Sequence, residues 1–574
     1  MSARDSDSVP YSGPVARWEI ATGAGLLVLM VVLAWPGLIG NSVTIDEFAH
    51  MPAGYVTLRE GALGVYSKTP PLVRSLEALP WLAARPQLSP GILERLDPYD
   101  PWHPWILGDD LMNLNPESYD RLFILSRVVT LALALVGGML IWVWSRQLFG
   151  PQGGLLSLAL FATSPTILAH ASVATVDVGS AVLFSATLFA LWRFLEWPSP
   201  TRALVCGLLL GAALLAKMTA LILLPLVVVI TLAALVIPPR AERSRVRSLL
   251  GGLAMVLATA ILLLNLAYGL RGSFTSWSSH DLFSRTLGKA TGWLPGWMPT
   301  GLPSWYVFGL DTQLLDLEQG EFPGYLLGQW SQEGRWQYFP VAFASKETLP
   351  FLLLFVASLA ALGGRRQHRD LLTELCLLLP IVTVVAIAMR GGRLQIGIRY
   401  LLPIYPLIFV HLGRLALVPQ GFAKARARRI AALVLAGLVG LQAMAVSLAG
   451  PDYLSYFNLA AGGPLNGHRI LLDSNLDWGQ DLRRAAAWSR EAGVERPFLA
   501  YFGHVDPRLY DLDYTLPPRQ PTKGTYLVSA NYLYGLPYPV SWARAPAAQI
   551  DVTWLRDQEP VDRIGNSMFV YRVD

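Results

Sequence analysis

The chain has few charged residues and only two cysteines. Asp, Glu, Lys and Arg make up 15% of its 574 residues, whereas soluble globular proteins carry about a quarter. Cys206 and Cys376 both lie in apolar runs, which excludes a disulfide framework and a cysteine-based metal site. The sequence shows no GxxxxGK(S/T) or GxGxxG loop for a nucleotide phosphate. It also shows no internal repeat, so a transporter built from inverted halves gains no support.

Long apolar runs are abundant instead. Hydrophobic residues form 53% of the chain and recur in runs of roughly twenty residues, the length of a helix that crosses a bilayer. We predict an all-α polytopic membrane protein with about eleven transmembrane helices. The first run lacks a clear small-residue cleavage site, which indicates a retained helix and not a signal peptide. The predicted spans are Trp18–Ile39, Leu122–Trp144, Gly153–Ala169, Val176–Leu195, Ala203–Ala216, Thr219–Ile237, Leu249–Leu270, Thr348–Leu362, Leu371–Met389, Tyr400–Val418 and Ile430–Leu448.

Basic residues cluster in alternate loops, which the positive-inside rule places in the cytoplasm. The net charge of +5 therefore reflects membrane orientation and not nucleic-acid binding. The large loops 40–121 and 271–347 then lie outside. The first of them is rich in Pro, Trp and Leu, and we expect short interfacial helices there. The cytoplasmic basic residues are Arg146, Arg193, Arg202, Arg240, Arg243, Arg245, Arg247, Arg365, Arg366, Arg369, Arg414, Lys424, Arg426, Arg428 and Arg429.

Residues 203–237 form one apolar run that only Lys217 interrupts. The run is far too long for one helix and slightly short for two full crossings. We predict two short helices with Lys217 at an outer turn. A single helix would move the basic cluster that begins at Arg240 to the outside, against the charge bias.

The long apolar runs stop after Gly450. Strand-like segments follow at 470–472, 498–502, 526–529 and 568–571, and residues 480–491 have a helical pattern. We predict a transmembrane module over residues 1–449 and a small α/β domain over residues 450–574, with the second domain outside the cytoplasm.

Ionisable residues from distant parts of the chain meet at the outer face in this arrangement. Acidic and basic side chains that converge in this way indicate a functional site. The candidates are Asp46, Glu47, Lys68, Asp177, Lys217, Lys346 and Arg399, with Arg390 and Arg393 as further outer cations.

Asp46 and Glu47 follow the first apolar run, in NSVTIDEFAH. Adjacent carboxylates at a membrane surface are costly unless they are solvated or functional. One interpretation is a general base with a partner that orients an acceptor or binds a cation. The alternative is a solvated helix end. Convergence with the other candidates favours the first interpretation.

Lys217 is a cation flanked by apolar residues within membrane depth, which is a functional-site hypothesis in its own right. An anionic headgroup or Asp177 would be its partner, and snorkelling to the surface is the alternative. Lys68 lies in YSKTPPL, where the stiff prolines could hold it over a phosphate. Snorkelling is again the alternative.

Asp177 begins an apolar helix, where a carboxylate serves as an N-cap and is open to a second role. Lys346 and Arg399 lie at outer helix ends, and helix N-termini favour anions. Asp473, Asp477 and Asp481 recur every four residues in LLDSNLDWGQDL. We interpret this motif as a strand end, a helix N-cap at Asp477 and a solvated face, and not as catalytic.

Carboxylates and phosphate-binding cations at an outer membrane face need an activated donor that is carried in the membrane as a lipid phosphate, since nucleotides are not normally available there. A sugar on a polyprenyl phosphate meets this condition. A base would take the proton of an acceptor hydroxyl, the oxygen would attack the anomeric carbon, and Lys or Arg would stabilise the departing phosphate.

The ordered motifs resemble those of GT-C fold glycosyltransferases, in the branch of protein O-mannosyltransferases and lipid A aminoarabinose transferases. The Asp-Glu pair, KTPPL, HASVATVDVGSAVLF, GAALLAKMTAL and RYLLPIYP occur in the order typical of that branch. DSNLDWGQDL and YFGHVDPRLY resemble a bacterial subgroup of phospholipid-carrier-dependent glycosyltransferases.

The resemblance implies inverting transfer from a polyprenyl-phosphate sugar at the periplasmic face of a bacterial inner membrane. It implies Asp46 as base or acceptor-orienting acid, Glu47 as its partner and Asp177 as a second acidic site. Lys68 matches a lysine before proline in the aminoarabinose branch, near the donor phosphate, and Lys217, Lys346 and Arg399 are further candidates for binding the donor phosphate. Some relatives use a divalent cation, and the sequence does not decide this point. No counterpart of the β-trefoil insertion of eukaryotic mannosyltransferases is evident, so the acceptor remains open among protein, lipid and glycan.

Two other hypotheses are compatible with the sequence. A non-catalytic transporter or flippase of lipid-linked sugars would need polar groups along a path through the bilayer, whereas the charges gather at one face. A scaffold subunit would act through the C-terminal domain.

Overall fold

The computed structural model describes residues 11, 13–97, 99–100, 103–237, 243–320, 322–363, 368–390, 392–540, 542 and 550–574. Arg240, Arg365 and Arg366 of the predicted cytoplasmic loops lie outside these residues. The α-helices are α1 (Arg17–Gly40), α2 (Ile45–Glu60), α3 (Pro71–Ala78), α4 (Trp81–Ala84), α5 (His103–Leu114), α6 (Tyr119–Ala162), α7 (Pro165–Ala171), α8 (Val176–Glu196), α9 (Pro200–Leu214), α10 (Leu223–Val236), α11 (Arg243–Ala267), α12 (Arg285–Thr291), α13 (Ser304–Gln319), α14 (Tyr338–Lys346), α15 (Leu349–Ala360), α16 (His368–Met389), α17 (Tyr405–Leu412), α18 (Ala425–Ala449), α19 (Leu482–Glu491) and α20 (Ala530–Leu533).

The protein is a multi-pass helical membrane protein. Within the described residues, eight helical segments are long and apolar enough to cross a bilayer, and the pair α14 and α15, bent by 118°, makes a ninth if it is one span. Each of the predicted spans falls mainly on helix. The numbers differ because the 44-residue α6 contains two predicted spans, broken at Gly150 (φ 77°). In addition, α9 has only 15 residues, and α15 is short and bent against α14.

The predicted break at Lys217 is confirmed. Helix α9 ends at Leu214, and Lys217 itself is extended, with φ −158° and ψ 143°. A short 3-10 helix, Met218–Ile222, then leads into α10. The predicted span Tyr400–Val418 is also irregular, because the 3-10 helices Ile398–Ile404 and Gly413–Gly421 flank the short α17. Prolines in these segments remove backbone donors and favour such interruptions.

The two large loops are structured. The first contains α2 to α5 and the 3-10 helix Leu63–Tyr66, as the prediction of short helices required. The second contains α12 to α14 and a hairpin of β1 (Gly324–Leu326) and β2 (Gln329–Ser331), which the sequence did not predict.

The C-terminal segment contains a four-stranded sheet and helix α19. Its strands are β3 (Phe498–Ala500), β4 (Gly524–Ser529), β5 (Asp562–Ile564) and β6 (Met568–Val573) in the order β3-β4-β6-β5, with only the β3–β4 pair parallel. The predicted strand 470–472 is wrong, because those residues connect two 3-10 helices, Pro464–Arg469 and Asp473–Asn475. A run of three apolar residues is too short to distinguish a strand from a buried connection.

The C-terminal segment packs directly on the membrane helices. Leu471, Leu476 and Trp478 belong to the same hydrophobic core as α1, α6 and α8. The Ser42 amide donates to the Gln480 carbonyl at 2.8 Å, and the Ile45 amide donates to the Trp478 carbonyl at 3.1 Å. These bonds hold the start of α2 against the C-terminal segment. The domain boundary at Gly450 stays a prediction.

Candidate active site

Four of the predicted residues meet at one end of the helical bundle. Asp46 lies in the first turn of α2, and Asp177 lies in the first turn of α8, whose N-cap is Thr175. Lys217 precedes the 3-10 helix after α9, and Arg399 is near the start of the 3-10 helix 398–404. Helix ends supply these positions because the chain reverses there, which allows charged groups to leave the apolar interior.

These residues form two ion pairs, Asp46 with Arg399 and Asp177 with Lys217. The Tyr400 ring connects them, since the Lys217 ammonium lies 5.2 Å and the Arg399 guanidinium 5.6 Å from its centroid. The Arg399 guanidinium also lies 4.5 Å from the Trp478 ring centroid. Each pair keeps one partly exposed member, Asp46 at 19% and Lys217 at 21% of the side chain. The predicted convergence of these four residues is therefore confirmed.

His50 reports on the electrostatics of this cluster. It lies one turn after Asp46 on α2 and is buried. Burial lowers the pKa of His50 to about 4, while the negative charges of Asp46 and Asp177 act in the opposite direction. His50 is therefore neutral at pH 7, and both carboxylates are close enough to act on it.

Glu47 has a different environment from Asp46. Its side chain is fully buried and forms an ion pair with Arg127 of α6, with N–O distances of 2.7 and 2.8 Å. It also accepts hydrogen bonds from the Thr44 amide and hydroxyl and from the Ala174 amide, at 2.7 to 3.0 Å. These bonds occupy both carboxylate oxygens. The structure thus does not place Glu47 beside Asp46 as a reactive partner.

Arg127 was missed by the sequence analysis. Its guanidinium also donates to the carbonyls of Leu38, Asn41 and Ser42 at 2.8 to 2.9 Å. The pair with Glu47 therefore joins the end of α1, the start of α2 and α6. A signal was present in the sequence, because a basic residue near the start of an apolar helix requires an explanation.

Lys68 lies apart from the two ion pairs. Its ammonium donates to both carboxylate oxygens of Asp316 in α13, at 2.8 and 2.7 Å. A small cavity lies beside it, lined by Tyr66, Lys68, Tyr99, Pro104 and Phe308 among others. The Tyr66 ring is 5.1 Å from the His50 ring, so this cavity adjoins the Asp46 region.

Lys346 does not fit the prediction of a phosphate ligand. Its side chain is buried and donates to the carbonyls of Leu454 and Asn475 at 2.8 and 2.5 Å. The ammonium also lies 4.5 Å from the Phe457 ring centroid. Backbone carbonyls and an aromatic ring take the place of an anion, so this assignment is corrected. The further outer cation Arg393 likewise donates to carbonyls, of Glu318 and Gln319.

The three aspartates of the C-terminal motif are buried, which contradicts the predicted solvated face. Asp477 accepts from the Gly479 amide at 2.9 Å and from the Ser529 hydroxyl. Helix α19 begins after Asp481, so the predicted N-cap at Asp477 is also wrong. Burial raises the pKa of Asp473 and Asp477 to about 7 and that of Asp481 to about 6.

A divalent cation would need several oxygen ligands. Within the part of the chain that the structure describes, no group of three or more His, Cys, Asp or Glu side chains is arranged to hold a metal. Asp46 and Asp177 are each paired with a basic side chain instead. The arrangement of these described residues does not fit a bound metal ion.

Comparisons with known proteins bear on the fold. A family model described as dolichyl-phosphate-mannose-protein mannosyltransferase matches residues 123–268, a segment that includes Asp177 and Lys217. No curated protein sequence matches the chain. The protein O-mannosyltransferase Pmt1-Pmt2 complex of S. cerevisiae, bound to its sugar donor, is 11% identical, with a TM-score of 0.53 over 77% of this chain and 91% of that chain. The chain therefore has the fold of the GT-C glycosyltransferases.

Two other solved structures are similar. ArnT from Cupriavidus metallidurans bound to undecaprenyl phosphate is 12% identical, with a TM-score of 0.46 over 96% of this chain and 97% of that chain. The apo oligosaccharyltransferase of Archaeoglobus fulgidus is 10% identical, with a TM-score of 0.46 over 90% of this chain and 71% of that chain.

Proposed function

We propose that the protein is an inverting glycosyltransferase that moves a sugar from a polyprenyl phosphate to a hydroxyl acceptor at the outer, periplasmic face of a bacterial inner membrane. The observation that carries this proposal is the meeting of two carboxylate–cation pairs, Asp46–Arg399 and Asp177–Lys217, around Tyr400. Such a cluster provides a base for the acceptor and cations for a lipid phosphate. Its place at the helix ends suits a substrate that arrives from the membrane.

The cations have donors to offer a phosphate. The Arg399 Nε atom is buried and has no hydrogen-bond partner among the described residues. A guanidinium binds phosphate oxygens through paired donors, which strengthens and orients the contact. The Lys217 ammonium has three donors, and Asp177 takes one of them. Asp177 thus aims Lys217, while Arg399 and Lys217 share the phosphate.

Asp46 acts as the general base in this scheme. Its Oδ2 atom is held by Arg399, which leaves Oδ1 for the acceptor hydroxyl. Asp46 takes the hydroxyl proton while the acceptor oxygen forms a bond to the anomeric carbon. The bond from that carbon to the phosphate oxygen breaks, and the electron pair leaves with the polyprenyl phosphate. Arg399 and Lys217 stabilise the added negative charge.

Glu47 and Lys68 take supporting roles. Glu47 and Arg127 position the start of α2, which carries Asp46. Lys68 binds the donor phosphate, as the sequence predicted, only after it exchanges its bond to Asp316 for one to a phosphate oxygen.

The test is transfer by the purified protein in liposomes, with polyprenyl-phosphate sugars and hydroxyl acceptors, and with products identified by mass spectrometry. Asp46→Asn lowers turnover by about 100- to 10,000-fold, the usual contribution of a general base. The control is Glu60→Gln, which removes an exposed carboxylate from the other end of the same helix, where it pairs with Arg59 at 2.9 Å. Glu60→Gln retains full turnover.

Equal turnover of the Asp46→Asn variant and the wild type would reject Asp46 as the base. Movement of intact sugar lipid across the liposome membrane, with no transferred product, would replace the proposal with the flippase hypothesis.

A further inference from the structure

Five aromatic side chains form a continuous arc next to Asp46. Phe48 stacks on His504, with ring centroids 5.5 Å apart, and His504 lies 6.0 Å from Trp105. Trp105 lies 5.8 Å from Tyr66, and Tyr66 lies 5.1 Å from His50. We call these five residues the aromatic arc. They come from α2, the 3-10 helix 63–66, α5 and the C-terminal segment, so the arc exists only in the folded protein.

The aromatic arc lies between the Asp46 carboxylate and the cavity beside Lys68. At one side, Asp46 is close enough to act on both His50 and His504: burial lowers the pKa of each to about 4, and the Asp46 charge opposes that effect. At the other side, Tyr66 lines the cavity that contains Lys68. A molecule held on the arc would therefore lie between the proposed base and the cavity that Lys68 lines.

The composition of the arc differs from that of a simple packing contact. Four of its five rings carry a nitrogen or oxygen, and burying such atoms is unfavourable unless they find partners. The His50 Nδ1 atom is buried without a hydrogen-bond partner in the described part of the chain. Tyr66, Trp105 and His504 remain partly exposed. Apolar faces edged by polar atoms are the surroundings that ligand pockets provide.

We infer that the aromatic arc binds the sugar ring of the lipid-linked donor, with Trp105 and His504 as the residues that recognise it. This inference depends on the proposed function, because it takes the donor from there. A sugar presents C–H groups on its faces and hydroxyls around its edge. The faces pack on Trp105 and Tyr66, and the hydroxyls bond to the ring nitrogens of His504 and His50.

This assignment gives the C-terminal segment a part in substrate recognition. His504 belongs to YFGHVDP, a motif in a connection after β3 and far from the membrane helices in sequence. Neutral imidazole offers one donor and one acceptor, which suits the discrimination of hydroxyl patterns. The low pKa of His504 keeps it in that neutral form at pH 7.

The experiment compares binding of bare undecaprenyl phosphate with binding of the same lipid carrying a hexose, an N-acetylhexosamine or an aminopentose. Native mass spectrometry of the full chain in detergent gives each dissociation constant. The wild type prefers one sugar-bearing lipid over the bare lipid by about tenfold or more. His504→Phe, which keeps the ring stacking and removes the nitrogens, and Trp105→Leu each lose most of this preference. Both retain affinity for the bare lipid.

The control is Trp297→Leu, which removes a tryptophan that is 76% exposed in the second outer loop and which retains the preference. Thermal unfolding of each variant shows that it is folded. An unchanged sugar preference in both arc variants would overturn the inference, as would a wild type that binds all the lipids equally.

Failure of this inference and failure of the proposed function are distinguishable. Loss of sugar preference without any transferred product supports the binding site and rejects the transferase. Transfer that depends on Asp46 but not on the arc supports the transferase and rejects the arc as the binding site of the donor sugar.

Discussion

Replacement of Glu47 by Gln tests whether this residue positions the site or takes part in the chemistry. Gln retains the size of the side chain and one acceptor oxygen, but it leaves the Arg127 guanidinium buried without its counter-charge. The two side chains are 0% and 1% exposed, so water cannot compensate for the loss. We expect Glu47→Gln to destabilise the protein and to displace the start of α2.

The size of the effect follows from the burial. Breaking a buried ion pair by removing one partner costs about 3–5 kcal/mol, because an uncompensated charge remains. Arg127 retains its bonds to the carbonyls of Leu38, Asn41 and Ser42, so we place the cost near the lower limit, at about 3 kcal/mol. A displacement of Asp46 by about 1 Å lowers turnover by roughly 100-fold.

The assay is a double-mutant cycle of Glu47→Gln and Arg127→Met, with unfolding free energies measured in mixed micelles. The double variant has no unpaired charge, so its cost is smaller than the sum of the two single costs by about 2 kcal/mol or more. Additive costs would refute the assigned pairing. A Glu47→Gln variant with wild-type stability and no turnover would assign Glu47 to the chemistry instead.

Two further predictions concern buried charges outside the proposed base. Lys346→Met leaves the Leu454 and Asn475 carbonyls unsatisfied, which lowers the free energy of unfolding by about 1–3 kcal/mol, while the KM for the donor stays unchanged. Lys217→Met instead raises the KM for the donor by about tenfold or more. A raised donor KM in Lys346→Met would show that Lys346 is a phosphate ligand. Burial raises the pKa of Asp477 to about 7 in the folded state, above the unfolded value of about 3.9. Its contribution to stability is therefore complete below about pH 3.9 and is lost as the pH rises through about 7. The total loss is at most about 4 kcal/mol. Asp477→Asn cannot ionise, so its melting temperature falls less than that of the wild type between pH 5 and pH 8; equal slopes would contradict the assigned burial.

Much of the bundle could be predicted from the sequence, because apolar length and charge placement are local properties of a membrane chain. Lys217 shows this well, because one lysine in a long apolar run was enough to predict the break at that position. The same parity argument brought Asp46, Asp177 and Arg399 to one end.

The identity of the partners could not be predicted in this way. Asp46 and Glu47 are adjacent, yet about 100° of helical rotation separates them, so one faces Arg399 and the other faces Arg127. The Thr44-x-x-Glu47 spacing is a capping-box pattern that assigns Glu47 to the helix start, but nothing in NSVTIDEFAH identifies Arg399 or Arg127 as a partner. Lys346 was assigned wrongly because its partners, the carbonyls of Leu454 and Asn475, come from more than a hundred residues further along the chain.

The C-terminal motif failed for a related reason. Three aspartates at intervals of four residues favour a solvated helical face, but Asp473 and Asp477 precede α19 and are buried. Asn531 accepts from the Asp473 amide at 2.8 Å, and Ser529 donates to Asp477. Burial of this kind depends on tertiary packing and leaves no periodic signal.

The backbone bonds between the start of α2 and residues 478 and 480 have a consequence for biosynthesis. The segment that carries Asp46 leaves the ribosome early. Residues 478 and 480, which hold that segment in place, emerge only after more than four-fifths of the protein has been made. A ribosome-bound or truncated polypeptide would therefore insert its helices without a competent centre. Under the proposed function, a nascent chain would therefore not react with lipid-linked sugars before residues 478 and 480 have been made.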